Sequence, residues 1–163
     1  MPRAWNDAAS VAALCAALAA CHSAAKDTTL HNSADAMIPK VDPSLCDTAG
    51  KNVVTFDLNH DNKPDLWRLY RTEDEGGTKV EFMTCKQADF DHDGRKDWVV
   101  ALNRNGTRLY EEADLDFDGK WDLFKTFDPK TGLVSEVERD TDFDGKFDEQ
   151  EIYDSAGQLS SIR

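Results

Sequence analysis

The sequence has no Cys-x-x-Cys pair and no Cys/His cluster, so zinc has no obvious site. Gly-x-Ser-x-Gly, His-Glu-x-x-His and Walker motifs are absent, and His22, His31, His60 and His92 form no nucleophile–base pattern. Basic residues are scarce: 19 Lys and Arg face 32 Asp and Glu, for a formal net charge of −13. That balance argues against nucleic acid, whose phosphates demand a basic face, and against polybasic docking on anionic lipid. Acidity on this scale can accompany disorder. Here, however, 9% of residues are aromatic, and the acids recur at regular spacings between short apolar runs. Ordered acidity of this kind suits a cation.

Four loops repeat one pattern, Asp-x-Asp/Asn-x-Asp-Gly/Asn-x-x-Asp, beginning at Asp57, Asp89, Asp114 and Asp140. Positions 1, 3 and 5 carry Asp57, Asn59, Asp61; Asp89, Asp91, Asp93; Asp114, Asp116, Asp118; and Asp140, Asp142, Asp144. Position 6 is Asn62, Gly94, Gly119 or Gly145, and position 9 is Asp65, Asp97, Asp122 or Asp148. A hard divalent cation takes six to eight oxygens at about 2.3–2.6 Å, and a tight loop can aim alternate side chains inward. The chain must bend at position 6, where Gly is freest and Asn next best. Position 7 supplies a carbonyl, so Lys63, Arg95, Lys120 and Lys146 are expected to turn their side chains outward. His60 and His92, at position 4, are expected to point away from the metal. Ca2+ fits such a donor set better than magnesium, which keeps its waters. The competing reading is four ordinary Asp/Gly hairpin turns, which leaves clustered carboxylates uncompensated.

Over about nine residues each, the loops resemble the EF-hand calcium loop and the Asp-x-Asp-x-Asp-Gly repeats of dockerins, thrombospondin type 3 repeats and FG-GAP modules. The resemblance implies calcium ligation by the carboxylates at positions 1, 3, 5 and 9. An EF-hand adds a bidentate Glu at position 12, and only Glu151 of the fourth loop matches, since Arg68, Val100 and Lys125 stand there in the others. Near the C-terminus, Tyr153-Asp154-Ser155-Ala156-Gly157-Gln158-Leu159 resembles the YD repeat of bacterial surface and toxin shells.

Each loop is followed by a short β-prone run without helical periodicity, such as Leu66–Tyr70, Trp98–Leu102 and Leu123–Phe127. A second turn signal comes next, and then a returning strand. The expected fold is all-β: an antiparallel meander of short hairpins with every calcium loop on one edge. Trp67, Trp98, Trp121, Phe124 and Phe147 gather at the loop exits, where core packing is expected and an aromatic binding strip is the alternative.

The segment 1–21 reads as a signal peptide: Arg3, an Ala/Leu-rich run, then small residues before Cys21. Leu18-Ala19-Ala20-Cys21 resembles the bacterial lipobox, which implies a lipidated Cys21, and His22 after it favours the outer membrane by resemblance to Gram-negative lipoproteins. Plain secretion and a folded N-terminal helix are the alternatives. Residues 22–45 read as a flexible tether, with a reach of roughly 25–30 Å, and residues 46–163 as the calcium-binding domain. Cys46 and Cys85 form an even pair and are expected to join in an oxidising compartment, or else to remain two separate thiols.

These features predict a non-enzymatic surface lipoprotein rigidified by Ca2+. A lipid anchor is its only expected membrane contact, and its expected partner is a surface protein or polysaccharide. A periplasmic or secreted location is the alternative. Two other classes compete: a carboxylate-rich metal-dependent hydrolase or glycosidase, and an EF-hand-like calcium sensor.

Overall fold

The computed structural model of the chain describes residues 42–163. The expected signal peptide, Cys21 and all but the end of the 22–45 tether lie outside the described residues. Nine strands form one antiparallel sheet in chain order. They are β1 (Asn52–Phe56), β2 (Leu66–Glu75), β3 (Thr78–Ala88), β4 (Trp98–Leu102) and β5 (Arg108–Ala113), followed by β6 (Leu123–Phe127), β7 (Val134–Arg139), β8 (Glu149–Tyr153) and β9 (Leu159–Ile162). The fold is the expected all-β meander. Plain turns join β2 to β3, β4 to β5, β6 to β7 and β8 to β9. The Asp-rich loops make every other connection, and so share one edge.

β2 and β3 have 10 and 11 residues, about twice the other strands, which accounts for the wider gap between the first two loops. β1 had no counterpart among the expected strands; its Val53-Val54-Thr55 run is short, but it is the segment that opens the first hairpin. A register shift recurs in each plain hairpin, at Leu69/Tyr70, Ala101/Leu102, Thr126/Phe127 and Ile152/Tyr153. Such bulges increase the twist of the strands.

One face is organised by the paired row Leu69, Cys85, Ala101 and Tyr110, on which Val99 and Phe124 complete a buried cluster. Trp67, Trp121 and Phe147 pack against that cluster, and Trp98 against a second one built on Ala113, Leu123 and Val137. The aromatic residues at the loop exits are therefore core residues. Further along the first face, Glu112, Phe124 and Glu138 stand in register. Burial pushes both carboxyls up, Glu112 to about 7.

Cys46 and Cys85 are joined, with Cα atoms 5.1 Å apart. Pro43–Leu45, at the end of the expected tether, form a 3-10 turn capped by the Asp42 side chain. Leu45 packs on the first cluster, and its carbonyl accepts a 2.8 Å bond from the buried Thr84 hydroxyl. Ordered packing thus begins a few residues before Cys46.

Candidate metal centre

Each loop is shaped by its own carboxylates. The position 9 carboxylate bonds the backbone at the loop entrance. Asp65 accepts from Leu58 N at 2.6 Å and Asn59 N at 3.1 Å, and Asp122 accepts from Leu115 N at 2.6 Å and Asp116 N at 3.3 Å. Asp97 makes the same pair of bonds to Phe90 and Asp91. In the fourth loop Asp148 takes Thr141 N at 3.1 Å and the Thr141 hydroxyl at 2.8 Å. The position 1 carboxylate reaches across to the position 6 N–H: Asp89 to Gly94 at 2.9 Å, Asp114 to Gly119 at 2.8 Å and Asp140 to Gly145 at 2.6 Å. Position 3 oxygens accept from position 5, as Asp91 does from Asp93 N at 3.0 Å.

Three groups result that could hold a metal ion: Asp89, Asp91, Asp93 and Asp97; Asp114, Asp116 and Asp122; Asp140, Asp142 and Asp148. Within each, one oxygen per residue lies within 4.8 Å of the others. The donors are all hard oxygens, the chemistry that a hard divalent cation takes. Burial sharpens the fit. Asp89 and Asp114 are 3% and 5% exposed, yet the Oδ1 of each has no hydrogen-bond partner. A buried, unpartnered carboxylate oxygen is costly, and a bound cation removes that cost. Burial and the neighbouring carboxylates push Asp114 and Asp122 above the ordinary range, so both gain from a positive charge nearby.

Comparison with protein-family models, with curated proteins and with solved structures finds no match to this chain. The site is therefore read from its own geometry.

The remaining expected ligands fall outside the three groups. Asp118 and Asp144 are drawn to Lys120 Nζ at 2.7 Å and Lys146 Nζ at 3.0 Å. Arg95 pairs with Asp93 in the same way, and its guanidinium donates to the Asp118 carbonyl at 3.2 Å in the next loop. The outward orientation expected for position 7 thus fails at these three residues. The basic side chain turns back on the position 5 carboxyl. At Asp118 its hydrogen bond is the main cause that holds the carboxyl below its usual range, and at Asp93 the Arg95 backbone N–H comes first and the guanidinium adds to it. Glu151 lies on β8, half-buried, where it accepts from the Tyr153 hydroxyl at 2.7 Å and sits 3.5 Å from Arg139. Asp57, Asn59, Asp61 and Asp65 form a loop of the same shape, but it is not among the three groups.

Two features had no trace in the pattern. Position 4 adopts positive φ in every loop, at His60 (66°), His92 (66°), Phe117 (64°) and Phe143 (61°). Phe does not advertise that conformation as Gly or Asn would, although His is among the residues enriched in it. The bend at position 6 is as expected, with positive φ at Asn62, Gly94, Gly119 and Gly145. The second feature is a chain of bonds between loops. Asp89 N donates to Asp65 O, Asp114 N to Asp97 O and Asp140 N to Asp122 O, each at 2.8 Å. The end of one loop is tied directly to the start of the next.

Proposed function

We propose that this chain is a calcium-binding surface lipoprotein, in which Ca2+ stiffens a β-meander used for structural or adhesive contact. The observation that carries the reading is the unpartnered Oδ1 of buried Asp89 and Asp114, each inside a group of converging carboxylates. Size and hardness favour calcium over magnesium, because the loops offer several oxygens at flexible spacing.

Mass action gives the metal a structural role. A site that binds near 10⁻⁴ M and meets about 1 mM calcium stabilises the fold by roughly 1.4 kcal/mol. Three such sites contribute roughly 4 kcal/mol, a large part of the stability of a small domain. The near-identity of the loops supports binding rather than catalysis, since catalysis normally uses one distinct constellation. Strands in place of mobile helices support a static role rather than that of a sensor. Export rests on the signal-like segment 1–21, anchoring on Cys21, and the oxidising compartment on the Cys46–Cys85 bond. A surface protein or polysaccharide is the partner class that this reading implies.

Two measurements test it. Calorimetric titration with calcium should show binding that magnesium does not reproduce. Metabolic labelling with a fatty acid should mark the wild-type chain and not the Cys21→Ser variant.

A further inference from the structure

We infer that the first loop is closed by His92 of the second loop instead of by a cation, which leaves three calcium loops. The inference rests on the metal reading of the other three. His92 Nδ1 lies 2.9 Å from Asp65 Oδ1, the oxygen that a cation in the first loop would need. Asp65 Oδ2 already accepts from Leu58 N and Asn59 N. Asp57 is also committed, with Oδ1 on His60 N at 2.6 Å and Oδ2 on Asn62 N at 2.9 Å. Asn59 and Asp61 each use Oδ1 on a loop amide.

The contrast with the neighbouring loops is specific. The second and third loops each keep a buried carboxylate oxygen without a partner, whereas the first and fourth keep none, and of these two only the first has a side chain from another loop on its position 9 carboxylate. The carboxylates at positions 1, 3 and 9 that converge in the third and fourth loops have no full counterpart here, because position 3 is Asn59. Asn59 and Asn62 replace the Asp and Gly of the other loops, so the first loop carries less charge and a stiffer bend. At position 4 the third and fourth loops present Phe117 and Phe143, which cannot donate this bond. His92 therefore plays a part that no residue plays at the later junctions. It ties the first loop to the wall of the first calcium site.

The test uses the isotope-labelled full chain followed by NMR. During a calcium titration, the amides of residues 89–97, 114–122 and 140–148 should move, while those of 57–65 stay in place. The His92 Nδ1 proton should persist at saturation. In parallel, hydrogen exchange at Leu58 and Asn59 is compared without metal. His92→Phe installs the residue that stands at 117 and 143, at the same backbone angle, and should speed that exchange roughly fivefold to tenfold. His92→Gln keeps an N–H donor and should restore most of the protection. Movement of the 57–65 amides with calcium in the wild type overturns the inference. So does unchanged exchange in His92→Phe. If no loop responds to calcium, the metal reading falls, and the exchange comparison still decides whether His92 closes the first loop.

Discussion

The backbone N–H of Asp114 donates to the carbonyl of Asp97 at 2.8 Å, joining the last residue of the second loop to the first of the third. Both side chains belong to carboxylate groups that could hold a metal. A cation that fixes Asp97 therefore also fixes the entrance of the next site, and the two sites should bind with positive coupling. Asp114→Asn should abolish binding in the third loop and weaken the second by threefold to tenfold, a coupling of roughly 0.6–1.4 kcal/mol. Calorimetry reads both effects. In chelator the same variant should melt no lower than wild type, because it removes a buried charge whose Oδ1 lacks a partner, while the amide oxygen can keep the bond from Gly119 N.

Lys120 would compete with a metal in the third loop for Asp118. Its ammonium lies 2.7 Å from Asp118 Oδ2, and that contact holds the carboxyl low. Replacing Lys120 by Gln should free the carboxylate and raise calcium affinity at the third loop, by roughly threefold to tenfold. An exposed ion pair is worth at most about 1 kcal/mol, so the unliganded fold should lose little.

The sheet was legible in the sequence to a degree set by alternation of turns. Trp98–Leu102 and Leu123–Phe127 match their expected bounds because a loop and a turn close in on each of them. β2 and β3 run further than expected, since Arg71–Glu75 and Cys85–Ala88 are polar or mixed and carry little hydrophobic signal. Within the loops, side-chain chemistry revealed the carboxylates at positions 1, 3 and 9 that converge in groups able to hold a metal. It could not reveal where Arg95 and Lys120 turn, because the choice between the carboxylate two residues back, Asp93 or Asp118, and open solvent is set by the folded shape of the loop. Nor could it show His92 meeting Asp65, a contact between residues 27 apart in the chain.

The disulfide should be a large part of the remaining stability. It closes a loop of 39 residues between the first turn of the domain and β3. Chain-entropy arguments put its contribution at roughly 4 kcal/mol. Replacing Cys46 and Cys85 together by Ser should lower the melting temperature sharply in both calcium and chelator, a dependence on the bridge that denaturant curves can measure.

Glu112 should make the unliganded protein less stable as pH rises. Its carboxyl ionises near 4.5 when unfolded and is pushed up to about 7 in the fold by burial. Between those values the folded state holds the extra proton. Stability is therefore full below 4.5 and falls as pH climbs towards 7. Glu112→Gln should flatten this slope and stabilise the protein at pH 8 by up to about 3 kcal/mol, with little change at pH 4. Urea melts in chelator across that range would show it.

The most direct measurement is a calcium titration of the chain lacking residues 1–21, by calorimetry, with melting curves in calcium, magnesium and chelator. The account predicts three bound calcium ions and a large rise in melting temperature that magnesium does not match. No binding heat and no thermal shift at millimolar calcium would contradict it, and the Asp-rich loops would then be hairpin turns.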